Sequence, residues 1–296
     1  GRFVDNFTTK KKACGKWFSF KIIFMKKILV ATDFSLAAGN AITYAADMAL
    51  SVNAQLTLLH VVQTPIGFSD MPLVMGLEDI MRSAETDMQQ LKEELLLRTA
   101  GKIIIETEVG MGGFFEELKT VSERIKPYAV VMGSQGKTAA EHILFGSHAV
   151  YTVKHLAWPV ITVPPNAAFT AVKKIGLASD LTKVVKTTPF AEIKMLVHDF
   201  NAELHILNIG KKEVFDADIV FESGLMQEMT LALKPTFHFI DNENTDEGIM
   251  DFAEKNQIDL LIVLPHHHNL LTGIFHKSHT KQLVLHSHVP VISIHQ

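Results

Sequence analysis

The residue pattern with the clearest chemical use lies near the middle of the chain, where the apolar run 128–132 ends in Gly133. A second glycine, Gly136, follows after two residues, and Gly146 and Ser147 follow after nine more. Glycine has no Cβ, so a ligand can approach its backbone closely, and several amides of such a loop can converge on an anion. Ser147 opens a helical pattern, whose free N–H groups and dipole favour a phosphate; its hydroxyl could cap that helix or bind the phosphate directly. The pattern therefore indicates a phosphate-binding loop between a strand and a helix.

Two better-known phosphate loops are excluded by the spacing. Gly136, Lys137 and Thr138 imitate the end of a Walker A loop, but Val131 stands where that loop needs its first glycine. A dinucleotide fingerprint needs G-x-G-x-x-G directly after the strand, and the spacing here is different. The glycines alone leave open a second interpretation, a strand-to-helix turn that binds no ligand.

The elements that must position this loop alternate from Met25 onward. Apolar, β-branched runs predict strands and amphipathic runs predict helices, with Ser35 as an N-cap and a glycine turn at Gly110, Gly112 and Gly113. The predicted strands are 27–32, 55–62, 102–109, 128–132 and 159–163, and the predicted helices are 37–50, 77–100, 114–126 and 147–155.

Strands separated by helices predict a parallel sheet with helices on both faces. Ligands of such sheets bind beyond the carboxyl ends of the strands. Asp33, Val61 and Gly133 all follow or end predicted strands, so we expect them to lie at one edge of the sheet.

The pattern repeats in the second half of the chain. The matched segments are 26–35 with 173–182, 55–61 with 203–209, 129–132 with 260–263, and 159–163 with 290–294. A duplication of this length indicates two copies of one domain. We predict a first domain at 25–166 and a second at 167–296, with a short, stiff connector that begins at Pro164 and Pro165.

The spacing G-x2-G-x9-G-[ST], carried by residues 132–138 and 144–147, resembles the nucleotide loop of the universal stress protein family. With the repeated segments, the chain resembles a tandem member of that family over about residues 25 to 296. The resemblance implies an α/β fold of two tandem, doubly wound, parallel five-stranded sheets, Rossmann-like and similar to the adenine nucleotide alpha hydrolases. It also implies that the cofactor is ATP, with or without Mg²⁺.

The resemblance further implies which residues of the first half bind ATP. Asp33 would lie near the adenosine, Val61 would offer backbone groups to the adenine, and the glycines would hold the phosphates. The implied positions are Ala31, Thr32, Asp33, Val61, Met132, Gly133, Gly136, Gly146, Ser147 and His148. For Asp33 a purely structural role in a turn or a helix cap stays open, because aspartate is common in both.

The second half departs from this pattern. Pro265 stands where the first half has Gly133, and proline removes a donor amide and fixes φ. The next three residues, His266, His267 and His268, replace the rest of the glycine segment. We therefore expect one ATP site per chain, with a second half that binds something else or serves as a structural partner.

Histidines are concentrated in the second half, where 11 of the 15 occur. His266, His267 and His268 are candidate metal ligands, since histidine is the commonest ligand of zinc and similar ions. Their spacing matches no standard metal signature and Cys14 is the single cysteine, which favours the interpretation that they line a polar loop.

Composition narrows the function classes. The chain has 296 residues, of which 47% are hydrophobic, enough for two domains with full cores. A net charge of −4 gives no sign of a nucleic-acid partner, and the sequence holds no apolar run long enough to suggest a membrane span. The single cysteine fits a reducing cytoplasm.

Residues 1–24 differ in character from the rest, with three consecutive lysines from Lys10 and an aromatic cluster from Trp17 to Phe24. Lys21 interrupts the apolar core that a signal peptide needs. We expect an added or non-native start, with Met25 as the true first residue; a partner-binding arm is the alternative.

The sequence thus predicts an ATP-binding stress-response or signalling module that acts through nucleotide-dependent conformation or partner binding. Enzyme signatures such as a nucleophile elbow or H-E-x-x-H are lacking, although a slow ATP hydrolase or a metal-dependent hydrolase using the second-half histidines stays open. A scaffold without nucleotide is the third hypothesis. The resemblance also implies that the two halves pair through their last strands as an intramolecular pseudo-dimer, and it leaves a homodimer open.

Overall fold

A computed structural model describes residues 10–13, 16–19, 25–63, 76–134, 147–210, 217–265 and 279–295, with side chains described from residue 25 onward. The strands are β1 Lys10–Ala13, β2 Lys16–Ser19, β3 Lys26–Thr32, β4 Ala54–Val62, β5 Ile105–Met111, β6 Ala129–Gly133, β7 Val160–Val163, β8 Lys174–Ala178, β9 Glu203–Gly210, β10 Thr236–Asp241, β11 Leu260–Val263 and β12 Val291–Ser293. The helices are α1 Leu36–Val52, α2 Leu77–Arg98, α3 Phe114–Ile125, α4 Ser147–His155, α5 Val184–Thr187, α6 Phe190–Phe200, α7 Ala217–Thr230, α8 Thr245–Lys255 and α9 His279–His286, with a 3-10 turn at Leu231–Leu233.

Ten of the strands form one continuous sheet. Its order is β10-β9-β8-β11-β12-β7-β6-β3-β4-β5, so that the second half mirrors the first. Neighbouring strands are parallel within each half, and the central pair, β12 and β7, is antiparallel. The doubly wound halves that the sequence predicts are therefore joined edge to edge, while β1 and β2 pair separately as an antiparallel hairpin.

The central strands are apolar on both sides because helices cover both faces of the sheet. In β3, Ile28 and Val30 pack into a core on one face with α1, while Leu29 packs into a core on the other face with Leu118 of α3. Each core runs across both halves, since Leu177 of β8 belongs to the first and Leu261 of β11 to the second. Among the described helices, none is long and apolar enough to cross a membrane.

Helix α1 begins and ends where local chemistry dictates. The Ser35 hydroxyl accepts a hydrogen bond from the Ala38 amide at 3.1 Å, which confirms the predicted N-cap. The helix ends at Val52, because Asn53 adopts the left-handed conformation with φ of 51°.

The predicted glycine turn after the third strand of the sheet is wrong for Gly110. β5 continues to Met111, and Gly110 lies opposite Val61 in the ladder. The neighbouring strand β4 extends to Val62 and supplies ladder partners that far, so pairing overrides the local preference of glycine for a turn. The turn itself begins at Gly112, whose φ is 133°.

The seam between the halves consists of the last strand of each half, as the sequence predicts. Ile292 lies opposite Ile161, and both are fully buried. The Thr162 hydroxyl donates to the Val291 carbonyl at 3.3 Å, and the Ser293 hydroxyl donates to the Val160 carbonyl at 3.4 Å. The prediction that the two halves pair through their last strands is confirmed, and the pairing is antiparallel.

The connector is held against both halves. Asn40 of α1 donates through Nδ2 to the carbonyls of Pro164 and Ala167, both at 2.9 Å. The ring of Phe169 lies edge-on to Tyr44 of α1 at 5.2 Å and 6.3 Å from Phe200 of α6. These contacts tie the chain between the domains to helices of each half.

We expect a fragment of residues 25–166 to self-associate, because β7 then becomes a sheet edge with unpaired N–H and C=O groups. Light scattering should report a mass above that of one fragment. A matched fragment with Thr162→Lys should be monomeric, since an edge lysine opposes strand pairing. A monomeric parent fragment at high concentration would contradict the importance of this seam.

Candidate functional site: the crevice at the end of β3

The first half has the topology that creates a ligand crevice. β3 lies between β6 and β4, and the chain leaves β3 for α1 and leaves β6 for α4. Helix α1 packs into one core and α4 into the other, so the two connections run to opposite faces of the sheet. In parallel sheets, a reversal of this kind opens a crevice beyond the carboxyl ends of the two strands. Asp33 and Gly133 flank that crevice.

The end of β3 turns sharply through a network of side-chain caps. The Thr32 hydroxyl accepts from the Phe34 amide at 3.0 Å, and the Asp33 carboxylate accepts from the Ser35 amide at 3.0 Å. Phe34 has a φ of 58°, an uncommon conformation for a residue with a side chain. The turn role that the sequence left open for Asp33 is therefore present, and one carboxylate oxygen is engaged in it.

His60 of β4 fastens this turn to the next strand. Its Nδ1 lies 2.8 Å from the Thr32 carbonyl oxygen, and its ring lies 4.6 Å from the Phe34 ring. A carbonyl can only accept, so Nδ1 of His60 is the donor of this hydrogen bond. His60 thus holds the carbonyl at the end of β3 and packs against the ring of Phe34.

Val61 is oriented by the alternation of the β4 backbone. The Val62 carbonyl accepts from the Gly112 amide at 3.0 Å, so the backbone N–H and C=O groups of Val62 point toward β5. Those of Val61 point the other way, toward β3. The amide that would continue the ladder there, that of Phe34, donates to the Thr32 hydroxyl. The Val61 carbonyl therefore points past the end of β3.

The end of β6 completes the strand-end side of the crevice. Gly133 lies opposite Val163 in the ladder, and the following Ser134 amide donates to the Val163 carbonyl at 3.0 Å. Met132 is buried in the core below, as are Ala31 and Thr32 on β3. Gly136 and Gly146 lie outside the described residues.

The glycine loop leads into the start of α4. Ser147 is the first residue of that helix, as the sequence predicts, and both Ser147 and His148 are exposed. The His148 ring lies edge-on to Phe114, the first residue of α3, at 5.0 Å. The exposed N-terminus of α4 belongs to the face opposite α1.

The second half repeats the strand-end turn without the glycines. Asp180 accepts from the Thr182 amide at 3.0 Å, Ser179 accepts from the Leu181 amide at 3.1 Å, and Leu181 has a φ of 53°. Asn208 takes the place of His60 and donates to the Ser179 carbonyl at 3.1 Å. The turn is therefore a property of the duplicated fold, and the difference between the halves lies at the glycine loop.

An ionisable pair lies at the position of the second half that corresponds to His148 in the first. His279, the first residue of α9, places Nδ1 2.7 Å from a carboxylate oxygen of the largely buried Asp246 on α8. The candidate ligands His266, His267 and His268 lie outside the described residues. Within the described ranges, no cluster of three histidine, cysteine or acidic side chains could hold a metal ion.

The structure thus places Ala31, Thr32, Asp33, Val61, Met132 and Gly133 at or next to the carboxyl ends of three neighbouring strands, and Ser147 and His148 at the start of α4. Sequence reasoning missed the bond from His60 and the pair of Asp246 with His279. The signal available for the His60 bond was a polar residue at the same place in both repeats, His60 and Asn208. The pair of Asp246 with His279 joins residues 33 positions apart, so no local sequence pattern could predict it.

Solved structures share this architecture over the full length. A universal stress protein from Archaeoglobus fulgidus superposes with a TM-score of 0.67 at 19% identity, covering 91% of this chain and 98% of that protein. A functionally unknown protein, PA1789 from Pseudomonas aeruginosa, superposes with a TM-score of 0.59 at 12% identity, covering 92% and 93%. At these identities the likeness establishes the tandem fold.

Sequence relatives match half of the chain at a time. Universal stress protein MJ0531 from Methanocaldococcus jannaschii is 30% identical over 139 residues, which are 47% of this chain and 81% of the relative. Universal stress protein MJ0577 of the same organism is 29% identical over 155 residues, 48% of this chain and 96% of the relative. The model of the Universal stress protein family matches twice, at residues 25–164 and 172–295. The chain, with its duplicated halves, belongs to the universal stress protein family.

Proposed function

We propose that this protein is an ATP-binding stress-response or signalling module that takes one ATP per chain in the crevice of the first half. The observation that carries the proposal is the meeting of three strand ends, Asp33, Val61 and Gly133, at the point where the chain reverses direction across the sheet. A crevice of this type suits a nucleotide, because strand ends offer polar groups and the following helix offers its N-terminus.

Each part of the crevice matches one part of the nucleotide. The Val61 carbonyl suits the exocyclic amine of adenine, and the carboxylate of Asp33 suits a hydroxyl of the ribose. The triphosphate would extend along Gly133 toward Ser147 at the N-terminus of α4, where the helix dipole favours negative charge. Gly136 and Gly146 supply the backbone amides between them, and Mg²⁺ would accompany the phosphates as their counter-ion.

The readout that we propose is a change of conformation or of partner when ATP occupies the crevice. Strand-end loops can order around a phosphate while the strands beneath them stay fixed. Denaturing the purified protein and identifying the released nucleotide tests occupancy directly, and adenine nucleotide is the expected result. Single-turnover release of phosphate from loaded protein separates a slow ATPase from a binding module.

We predict one adenine-nucleotide site per chain in isothermal titration. The first half has the glycine loop, whereas Pro265 removes a donor amide at the corresponding strand end of the second half. Two equivalent sites would show that the glycine loop is not what distinguishes the halves.

Gly133→Val should abolish ATP binding while the protein stays folded, because a branched side chain would occupy the space where the backbone meets the phosphates. Gly210→Val is the matched control, since Gly210 also ends a strand and a Cβ there meets no atom within 4 Å. Titration with ATP and circular dichroism measure the two properties. Unchanged affinity in folded Gly133→Val protein would place the phosphates elsewhere.

His60→Leu should weaken ATP binding about fivefold, the equivalent of about 1 kcal/mol for one hydrogen bond that positions the turn. His60→Asn is the matched control, because Asn208 makes the same bond to the Ser179 carbonyl in the second half. The asparagine variant should retain most of the affinity. Equal loss in both variants would mean that the ring of His60, rather than its bond to Thr32, matters.

A further inference from the structure

The two outer edges of the ten-stranded sheet differ in chemistry. β5, the edge of the first half, carries Glu106 and Glu108, and Glu108 pairs with Arg124 of α3. The long helix α2 packs along this strand. Charged side chains and a covering helix are two devices that prevent an edge from pairing with another chain.

β10 is the edge strand of the second half. Before Asp241, its last residue, it carries no acidic or basic side chain other than His238. Its sequence is Thr-Phe-His-Phe-Ile-Asp, and Phe239 is 61% exposed. The rings of Phe237 and Phe239 are stacked on one face with centroids 6.5 Å apart. The crossover before β10 also exposes apolar side chains, including Phe221 at 65% and Leu231 at 66%. An exposed, apolar edge strand is a template for another strand.

We propose that β10 pairs antiparallel with β10 of a second copy of this chain, so that a twofold axis through His238 joins two ten-stranded sheets into one. A twofold axis perpendicular to the sheet places the same face of both sheets on the same side of the dimer. Residues that lie opposite each other must therefore both have odd numbers or both have even numbers. With His238 on the axis, Phe237 lies opposite the partner subunit's Phe239, and Thr236 lies opposite the partner subunit's Ile240.

This register is self-complementary. Aromatic pairs directly opposite each other stabilise an antiparallel ladder, and here two such pairs form by symmetry. A register centred on Phe239 would instead place Phe237 opposite the partner subunit's Asp241. For β5, the register that pairs all seven residues places Glu108 opposite the partner subunit's Glu108, and like charges in that position are destabilising.

The group on the axis is suited to meet its own copy. His238 accepts or donates a hydrogen bond with His205 of β9 at 3.0 Å, and its ring lies 4.6 Å from Phe252 of α8. Burial and the neighbouring His205 lower the pKa of His238. The carboxylate of Glu203 lies 3.6 Å from Nε2 of His205. A lowered pKa favours the uncharged imidazole, which reduces the charge repulsion between the two copies of His238 across the axis.

The mass of the full chain in solution tests the proposal. Sedimentation or light scattering should give the mass of two chains for the unaltered protein and of one chain for Phe239→Lys, because an edge lysine opposes pairing. Glu106→Lys, the matched control on the β5 edge, should keep the mass of two chains. A monomeric unaltered protein, or a Phe239→Lys variant that is folded and still dimeric, would overturn the proposal.

A cross-link tests the register and stays informative if Phe239→Lys fails to fold. Cys14→Ala removes the single natural thiol, and His238→Cys then places one thiol per chain on the axis. Directly opposed antiparallel residues are about 4.5–5.5 Å apart at Cα, within disulfide range. Oxidation should give a covalent dimer, whereas Ile240→Cys, about 14 Å from its copy, should not. Efficient cross-linking at 240 but not at 238 would overturn the register.

Discussion

Antiparallel pairing between β7 and β12 is the interaction on which the organisation of this molecule depends. Each half ends in a short, buried strand that would otherwise be an exposed edge, and the pairing satisfies the backbone groups of both. Because the strands join within one chain, the two cores become continuous across the seam. The connector needs only to be short and anchored, which the bonds from Asn40 provide.

The duplicated halves separate what the fold requires from what a ligand requires. The caps of Thr32 and Asp33 have counterparts in Ser179 and Asp180, and the left-handed residue recurs at the same place. A feature present in both halves is explained by the need to turn from a strand into the next segment. The sequence of the glycine loop that begins at Gly133 has no counterpart in the second half, so the turn that the two halves share does not explain it.

Sequence reasoning succeeded where local patterns decide the structure. Apolar runs such as β3 predict buried parallel strands, Ser35 predicts a helix start, and the repeat predicts the symmetry of the halves. It failed where pairing decides, as at Gly110, which β4 draws into the ladder. It also could not predict contacts such as that of His60 with the Thr32 carbonyl, because those depend on the register of neighbouring strands.

The direction of the strands at the seam has a consequence for communication between the halves. β7 and β12 run in opposite directions. The carboxyl ends of the first-half strands therefore lie along one side of the sheet, and those of the second-half strands lie at the other end of the strand direction. The crevice at Asp33 and the strand end at Pro265 therefore open on opposite sides of the molecule. A ligand at one of these places cannot touch the other, so any influence between them has to pass through the sheet and the two cores that the halves share.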